Sequence, residues 1–206
     1  MKKISLFVLA LCTSAAVFAQ DTQPQLRTPM ERKVRFGIRA GANFASVNMS
    51  DVPNGPEINT KTSLHGGVFV NAPLGGMFAI QPGVEYGGQG AKVKQGTANA
   101  EWDLHYVNVP IMFQWKSAGG FLLETGPQAG FLVGAKADDV DVKDQFDTFD
   151  FTWGAGLGYL SRIGLGVNAR YNLGINNIVN DEAGLDGKIK NNVIQVGLVY
   201  HFGAHR

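Results

Sequence analysis

The chain has 206 residues, with 18 Lys plus Arg against 17 Asp plus Glu, so its formal charge is +1. Removal of the first 19 residues takes Lys2 and Lys3 with it and leaves a charge of about −1, which argues against a nucleic-acid partner. The single cysteine, Cys12, lies in that same first segment, so the rest of the chain has no means of forming a disulfide. The remainder is long enough for one sizeable domain.

The first segment has the pattern of a targeting sequence. Lys2 and Lys3 precede an apolar run that reaches residue 18, and Ala19 is followed by Gln20. This pattern predicts a secretory signal peptide over residues 1–19, cleaved after Ala19. A transmembrane helix is the less favoured interpretation, because three hydroxyl residues interrupt the run. Residues 20–33 are polar with two prolines and predict a flexible periplasmic lead-in.

The next segment alternates apolar and polar side chains at every second position. Residues of the even set are apolar and those of the odd set are polar or glycine: Val34, Phe36, Ile38, Ala40, Ala42 and Phe44 against Arg35, Gly37, Arg39, Gly41 and Asn43. A period of two is typical of a β-strand with two different faces.

Seven further segments repeat this alternation. The eight predicted strands cover about residues 34–45, 63–72, 77–88, 104–116, 121–135, 149–159, 163–174 and 194–202. Short turns at 73–76, 117–120 and 161–162 alternate with long polar loops at 46–62, 89–103, 136–147 and 176–191. The fold class predicted is all-β: an eight-stranded antiparallel up-and-down transmembrane β-barrel over residues 34–202, with short periplasmic turns, long outer loops and a short C-terminal extension at 203–206.

Three prolines fall within predicted strands, where each removes a ladder donor. Pro82, Pro110 and Pro127 are therefore expected to sit at local bulges.

The residue composition of the two strand faces indicates a membrane barrel and not a soluble one. The polar face is mostly glycine with scattered Asn, Gln, Glu and Arg, which suits the cramped lumen of eight strands. The apolar face carries aromatic residues near strand ends, as expected of a lipid belt with aromatic girdles: Tyr86, Trp115, Trp153, Tyr159, Tyr171 and Tyr200. The predicted location is the bacterial outer membrane, with its lipids and the barrel-insertion machinery as partners.

Several short segments carry a resemblance to a known family. They follow a signal that ends in Ala-Gln and comprise residues 36–44, 106–110, 124–127, 170–174 and 197–202. Together they resemble the PorT-like outer-membrane β-barrel family over about residues 34–202. The resemblance implies the barrel fold and, through one branch of the family, a link to protein secretion across the outer membrane. It also implies that Phe202 is the terminal aromatic residue read by the insertion machinery.

Charged and amide side chains on the polar face are the first candidates for function. Arg39, Glu85, Glu124, Gln128 and Arg170 are predicted to point inward and form one ion-paired network across the lumen. The network is interpreted either as a gate or ion path, or as a plug that fixes the barrel. The plug is favoured, because a buried charge without a partner costs several kcal/mol.

Two histidines near the outer rim are the candidates for enzymatic chemistry. His65 lies near Ser63 and His105 near Asp103, a set that a lipid- or peptide-cleaving rim enzyme would use. Parity points His65 inward and His105 outward, so a shared site would require a bulge. Rim histidines wetted by water or headgroups are the favoured interpretation, and no catalytic residue is predicted.

The third long loop is acidic and offers hard oxygen ligands for a cation: Asp138, Asp139, Asp141 and Asp144. The spacing departs from an EF-hand, with Lys143 at a ligand position, so a solvated acidic loop is favoured and no metal is predicted. The Gly-x-Gly pairs lie within strands and not between a strand and a helix, so no cofactor is predicted either.

These observations predict a non-enzymatic outer-membrane barrel that acts as a structural or interaction component. It would work through its outer loops and periplasmic face, with other envelope proteins as partners, in protein secretion or surface assembly. The main alternative is a small channel for solutes or apolar molecules, and a rim enzyme comes third.

Overall fold

Eight long strands dominate the fold. The computed structural model describes residues 33–50, 57–95, 98–137, 140–177 and 188–203. The strands are β1 (Arg35–Ser50), β2 (Glu57–Gly75), β3 (Phe78–Gln95), β4 (Ala98–Lys116), β5 (Phe121–Ala137), the two-residue β6 (Val140–Asp141), β7 (Phe149–Leu160), β8 (Leu165–Gly174) and β9 (Lys188–His201). A 3-10 turn, Lys143–Gln145, follows β6. In the part of the chain that the structure describes, no helix is long and apolar enough to cross a membrane.

The strands close into a barrel. Each long strand pairs antiparallel with the next one along the chain, and β1 pairs with β9 from Gly37↔His201 to Ser50↔Lys188. The predicted eight-stranded up-and-down barrel is therefore confirmed, and the short β6 only extends β5 at its outer end. Closure matters because in hydrocarbon every backbone N–H and C=O must find a partner within the protein, and a closed sheet leaves no edge.

Two of the short turns share one sequence-encoded geometry. Gly120 donates its N–H to the carbonyl of Ser117, and Gly164 donates to the carbonyl of Ser161, both at 3.1 Å. Each turn thus reads Ser-x-x-Gly, and each closing glycine has a positive φ, 92° at Gly120 and 86° at Gly164. Glycine adopts this conformation without a steric penalty, which explains why both turns end on it.

The strands extend further on the outer side than the sequence predicts. β2 begins at Glu57 and not at residue 63. β3 ends at Gln95 and β4 begins at Ala98, so both strands extend into the segment 89–103 that was predicted as a loop. The predicted loops at 46–62 and 89–103 are therefore too long. Beyond the apolar belt the outward side chains are polar, as at Thr60 and Thr62, while the inward Lys61 stays buried. The period-two signal therefore disappears although the backbone ladder continues.

Pro82, Pro110 and Pro127 do not sit at bulges, so that expectation from the sequence was wrong. Pro82↔Ile111 and Glu85↔Asn108 belong to one register, and so do Pro110↔Gln128 and Phe113↔Thr125. Pro127 pairs directly with Trp153. The register shifts occur instead at Thr60/His65, Pro73/Gly75 and His105/Tyr106. A strand residue donates its N–H to one neighbour only, so each proline removes one donor while the flanking pairs hold the register.

Alternation places polar residues inside and apolar residues outside. Along β5 exposed and buried residues alternate from Phe121 to Leu132, with the even-numbered side chains inward. The interior is tightly filled: a Cβ added at Gly154 would lie 2.8 Å from both Asn172 Oδ1 and Met112 Cε. Glycines on the inward face therefore make room for the long polar side chains of other strands.

Candidate functional site in the barrel lumen

A layer of four charged side chains crosses the middle of the lumen. Arg39 on β1 donates from Nη1 to Oε1 of Glu85 on β3 at 3.0 Å. Arg170 on β8 lies 3.5 Å from the same oxygen through Nη1, and its Nε donates to Oε1 of Glu124 on β5 at 2.9 Å. All four residues are at most 5% exposed. Two arginines and two glutamates balance in charge, so each buried ion has an opposite partner.

Amide side chains extend this layer toward the periplasmic end. Gln114 donates from Nε2 to Oε2 of Glu124 at 2.9 Å, and its Oε1 accepts from Nδ2 of Asn71 at 2.7 Å. The same Asn71 nitrogen lies 3.3 Å from Oε1 of Gln81. Sequence reasoning overlooked these three residues, although Gln114 and Gln81 share the inward parity of Glu124 and Glu85.

Gln128 is the one predicted network member that the structure leaves apart. It is buried on the inward face of β5, but its Oε1 has no hydrogen-bond partner among the described residues. The other four, Arg39, Glu85, Glu124 and Arg170, are in contact. On the inward face of β5, Glu124 is followed toward the outer end by Gly126 and then by Gln128. The amide that donates to Glu124 is instead that of Gln114 on β4.

A neutral layer lies above the charges, on the side of the long strand ends. Asn172 donates from Nδ2 to Oε1 of Gln195 at 3.0 Å, and Gln195 donates from Nε2 to Oδ1 of Asn43 at 3.1 Å. Asn43 in turn donates to the carbonyl of Gly88 at 2.8 Å. These contacts link β8, β9 and β1 through side chains, and they reach β3 through the backbone carbonyl of Gly88.

An apolar cluster fills part of the outer end of the lumen. It consists of buried side chains from three strands and one connection: Ala91, Leu104, Tyr106, Leu132, Ala135 and Phe146. Phe146 follows the 3-10 turn and meets Trp102 edge-on, with ring centroids 5.6 Å apart. This connection was predicted to be a solvated acidic loop. Phe146 nevertheless places its ring in the barrel, because burial of a phenyl ring is strongly favourable even when its neighbours in sequence are polar.

The described acidic residues of that connection are not grouped as metal ligands. Asp141 and Asp144 are exposed, and Asp141 Oδ1 accepts the backbone N–H of Lys143 at 3.0 Å. Asp138 and Asp139 lie outside the described residues. Within the described part of the chain, no three His, Cys, Asp or Glu side chains are grouped as metal ligands.

The periplasmic end of the lumen narrows to a small cavity. Leu122, Leu160 and Val199 form a buried apolar group there. Beside them Arg39, Gln114, Glu124 and His201 line a cavity of about 10 Å³. That volume holds about one water molecule.

The two rim histidines lie on opposite faces of the wall. His65 is buried and its Nδ1 has no hydrogen-bond partner among the described residues. His105 faces outward, stacked on Tyr86 with the ring centroids 5.9 Å apart and its Nδ1 3.2 Å from the phenol oxygen. Register shifts do occur beside both histidines, yet they do not bring the two rings together.

The other members of the suggested catalytic set are engaged elsewhere. Ser63 donates its hydroxyl to the carbonyl of Gly88. The carboxylate of Asp103 accepts from Nζ of Lys61, a buried side chain at the outer rim. In the described structure neither residue pairs with a histidine.

Comparison with known proteins supports the architecture. Residues 18–180 match the family model described as "Outer membrane protein beta-barrel domain". The chain belongs to this outer-membrane β-barrel family. The barrel is therefore a protein of the bacterial outer membrane, in agreement with the apolar side chains on its outward face.

Solved structures with the same fold are distant in sequence. Neisserial surface protein A (NspA) is 14% identical with a TM-score of 0.54, over 81% of this chain and 97% of that one. Ail, the attachment invasion locus protein of Yersinia pestis, is 13% identical (TM-score 0.45, 82% and 98%). OprG from Pseudomonas aeruginosa is 14% identical (TM-score 0.45, 85% and 98%). None of the curated proteins compared with the chain matches it. At these identities the likeness to NspA shows the fold alone.

The membrane orientation of this family member follows from its turns. In outer-membrane barrels the short turns face the periplasm and the longer connections face outward. Aromatic residues lie near the short turns on the outer face: Trp115 pairs with Phe78, and Tyr159 pairs with Phe121. The amphipathic rings of Trp115 and Tyr159 suit the headgroup region of the inner leaflet.

The periplasmic end is basic throughout its described part. Lys33 precedes β1 and Arg35 begins it, Lys116 ends β4, and Arg162 lies in the turn between β7 and β8. The described residues at this end, 33–37, 71–79, 115–122, 159–166 and 199–203, contain no Asp or Glu. The described part of this end therefore carries a net positive charge.

Proposed function

We propose that this barrel is a non-enzymatic structural or interaction component of the outer membrane. The observation that carries the proposal is the filled lumen: charged, amide and apolar side chains occupy successive levels of it. An interior built this way stabilises the wall and leaves the exposed ends as the working surfaces. Outer-membrane lipids and the insertion machinery are then its general partners.

The layered interior also argues against the small-channel alternative. A solute passing through would have to break the Arg170–Glu124 and Arg39–Glu85 pairs, each buried and paired at 3.0 Å or less. Breaking a buried pair costs about 3–5 kcal/mol. An eight-stranded barrel encloses only enough space for its own side chains.

The ends of the barrel are the proposed interaction surfaces. The basic periplasmic end, with Lys33, Lys116 and Arg162, fits acidic segments of other envelope proteins. The resemblance to PorT-like barrels supports a place for such a complex in protein secretion or surface assembly. The separated histidines support the non-enzymatic part of the proposal.

Crosslinking in intact cells tests it. A photoreactive amino acid is placed at Arg162 in a periplasmic turn, at Val140 in an outer connection, and, as a control, at the lipid-facing Val196. Purification from the outer membrane and mass spectrometry then identify what is attached. A stoichiometric envelope protein at Arg162 or Val140 but not at Val196 supports the proposal. Recovery of the barrel alone from all three positions contradicts it.

Two further measurements address the alternatives. Steady conductance of the purified barrel in a planar lipid bilayer would favour the channel. Lipid or peptide cleavage that is lost in His65→Ala or His105→Ala would favour the rim enzyme.

A further inference from the structure

A group of buried oxygen atoms in the outer half of the lumen has no hydrogen-bond donor. The atoms are Oε1 of Gln128, Oδ1 of Asp150, Oγ1 of Thr152 and Oδ1 of Asn191, none with a partner in the described structure. Each of the four residues is at most 4% exposed. Buried polar atoms are nearly always satisfied, so four unsatisfied oxygens in one region point to something that binds them.

The register places these four side chains on one patch of the inner wall. Gln128 on β5 is directly opposite Thr152 on β7, and such side chains lie about 5 Å apart at Cβ. Asp150 lies on the same inward face of β7, two residues closer to the outside. Asn191 on β9 reaches Asp150, with Nδ2 3.5 Å from Oδ2.

A glycine allows β9 to approach this patch. Gly174 on β8 pairs with Thr152, and a Cβ added there would lie 2.5 Å from the backbone oxygen of Asn191. The absence of a side chain between Thr152 and Asn191 leaves their oxygens on neighbouring parts of the same surface. The amide nitrogen of Asn191 donates to Oε1 of Gln89 and lies 3.5 Å from Oδ2 of Asp150, so both of its donor positions are used. Its oxygen is the atom of the amide that has no partner among the described residues.

The charge of Asp150 is the second observation. The arginines of the charged layer are matched by Glu85 and Glu124, and the Asn191 amide, at 3.5 Å, is the contact that the structure gives the Asp150 side chain. In the described residues its carboxylate therefore has no cationic partner. A buried carboxylate without a counter-charge is strongly unfavourable.

We propose that Asp150, Thr152, Gln128 and Asn191 bind one hard metal cation of the size shared by Ca²⁺ and Na⁺. The donors are a carboxylate, a hydroxyl and two amide oxygens, without nitrogen or sulfur, which is the ligand set that such ions prefer. Water completes the coordination shell. The cation supplies the charge that Asp150 lacks and joins β5, β7 and β9 near the outer opening.

Cation-dependent stability tests the site. The refolded full barrel, in detergent and a chelated choline chloride buffer, is titrated with Ca²⁺ and in a second series with Na⁺. Binding to the folded state raises the unfolding temperature, and the rise grows with the logarithm of ion concentration once this exceeds the dissociation constant. We expect a rise of several degrees in the wild type and in Asp141→Asn, a matched control in the exposed acidic connection, and none in Asp150→Asn.

Calorimetric titration gives a direct reading, with one Ca²⁺ per barrel in the wild type. Thr152→Val keeps the charge and removes one ligand, so it should weaken Ca²⁺ at least several-fold even if Asp150→Asn fails to fold. An unchanged affinity in Thr152→Val, an equal response in Asp150→Asn, or no response of the wild type to either ion overturns the proposal. A response lost in Asp141→Asn instead would place the ion in the acidic connection and equally overturn it.

Discussion

Arg170 on β8 donates its Nε–H to Oε1 of Glu124 on β5 at 2.9 Å, while its Nη1 lies 3.5 Å from Oε1 of Glu85 on β3. One arginine therefore connects three strands that are not neighbours in the wall. Through Glu85 the connection reaches Arg39 on β1. The layer thus acts as a cross-brace, because no pair of adjacent strands supplies both partners of any of these ion pairs.

Arg170→Met should destabilise the barrel by about 3–5 kcal/mol, because two buried carboxylates lose their shared partner. Arg170→Met combined with Glu124→Gln should recover part of that loss, since one uncompensated charge is then removed. Urea unfolding in lipid vesicles, followed by the mobility difference between folded and unfolded barrel on gels, measures both. Arg162→Gln, in a periplasmic turn, is the control and should change stability by less than about 0.5 kcal/mol. A double variant no more stable than Arg170→Met would contradict the charge-pairing account.

Gly120→Ala should cost about 1–3 kcal/mol, because the residue has φ of 92° and an added Cβ would lie 2.4 Å from the backbone oxygen of Leu160. Gly119→Ala is the matched control next to it, where the nearest atom to a Cβ is Ser117 Oγ at 3.8 Å. The same unfolding assay compares the two. Equal stability of both variants would show that the turn relaxes without strain.

Val196→Lys should destabilise the barrel by about 2–4 kcal/mol if the residue lies near the middle of the bilayer. Val196 faces outward midway along β9, 47% exposed, and pairs with Ala42 and Ala169. Val140→Lys is the control, in the connection between β5 and β7, where the side chain is 64% exposed. Refolding into vesicles and urea titration give both values. Tolerance of lysine at Val196 would place the lipid belt elsewhere.

Phe146→Ala should open the outer end of the lumen, because its ring packs against Trp102 over the buried cluster around Leu132. A single cysteine is introduced by Leu132→Cys, and its reaction with a membrane-impermeant maleimide is followed in whole cells. Labelling should be slow in this variant and at least several-fold faster when Phe146→Ala is added. Val133→Cys, on the outward face, should respond little to Phe146→Ala. Labelling of Leu132→Cys that is fast with Phe146 in place would show that the ring does not cover the cluster.

The sequence alone was sufficient for strand number, strand order and the direction of most side chains. Period-two alternation is a local property, so the inward parity of Arg39, Glu85 and Arg170 could be read without knowing their neighbours. The three short turns then require the strands that they join to be neighbours, which favours an up-and-down order. The signal peptide at residues 1–19 stays a prediction, because it lies outside the described residues.

Contacts across the lumen could not be read in the same way. Which inward side chains meet depends on the stagger of eight strands around the closed barrel, a quantity that no single strand encodes. For this reason Gln128 was assigned to the network and Gln114 was overlooked. The burial of Phe146 was equally inaccessible, since it depends on the space left above Tyr106 and Leu132. The local pattern of this chain therefore determined its membrane barrel. Only the closed tertiary structure decided which polar groups pair and which buried atoms, such as Oδ1 of Asp150, have no partner among the described residues.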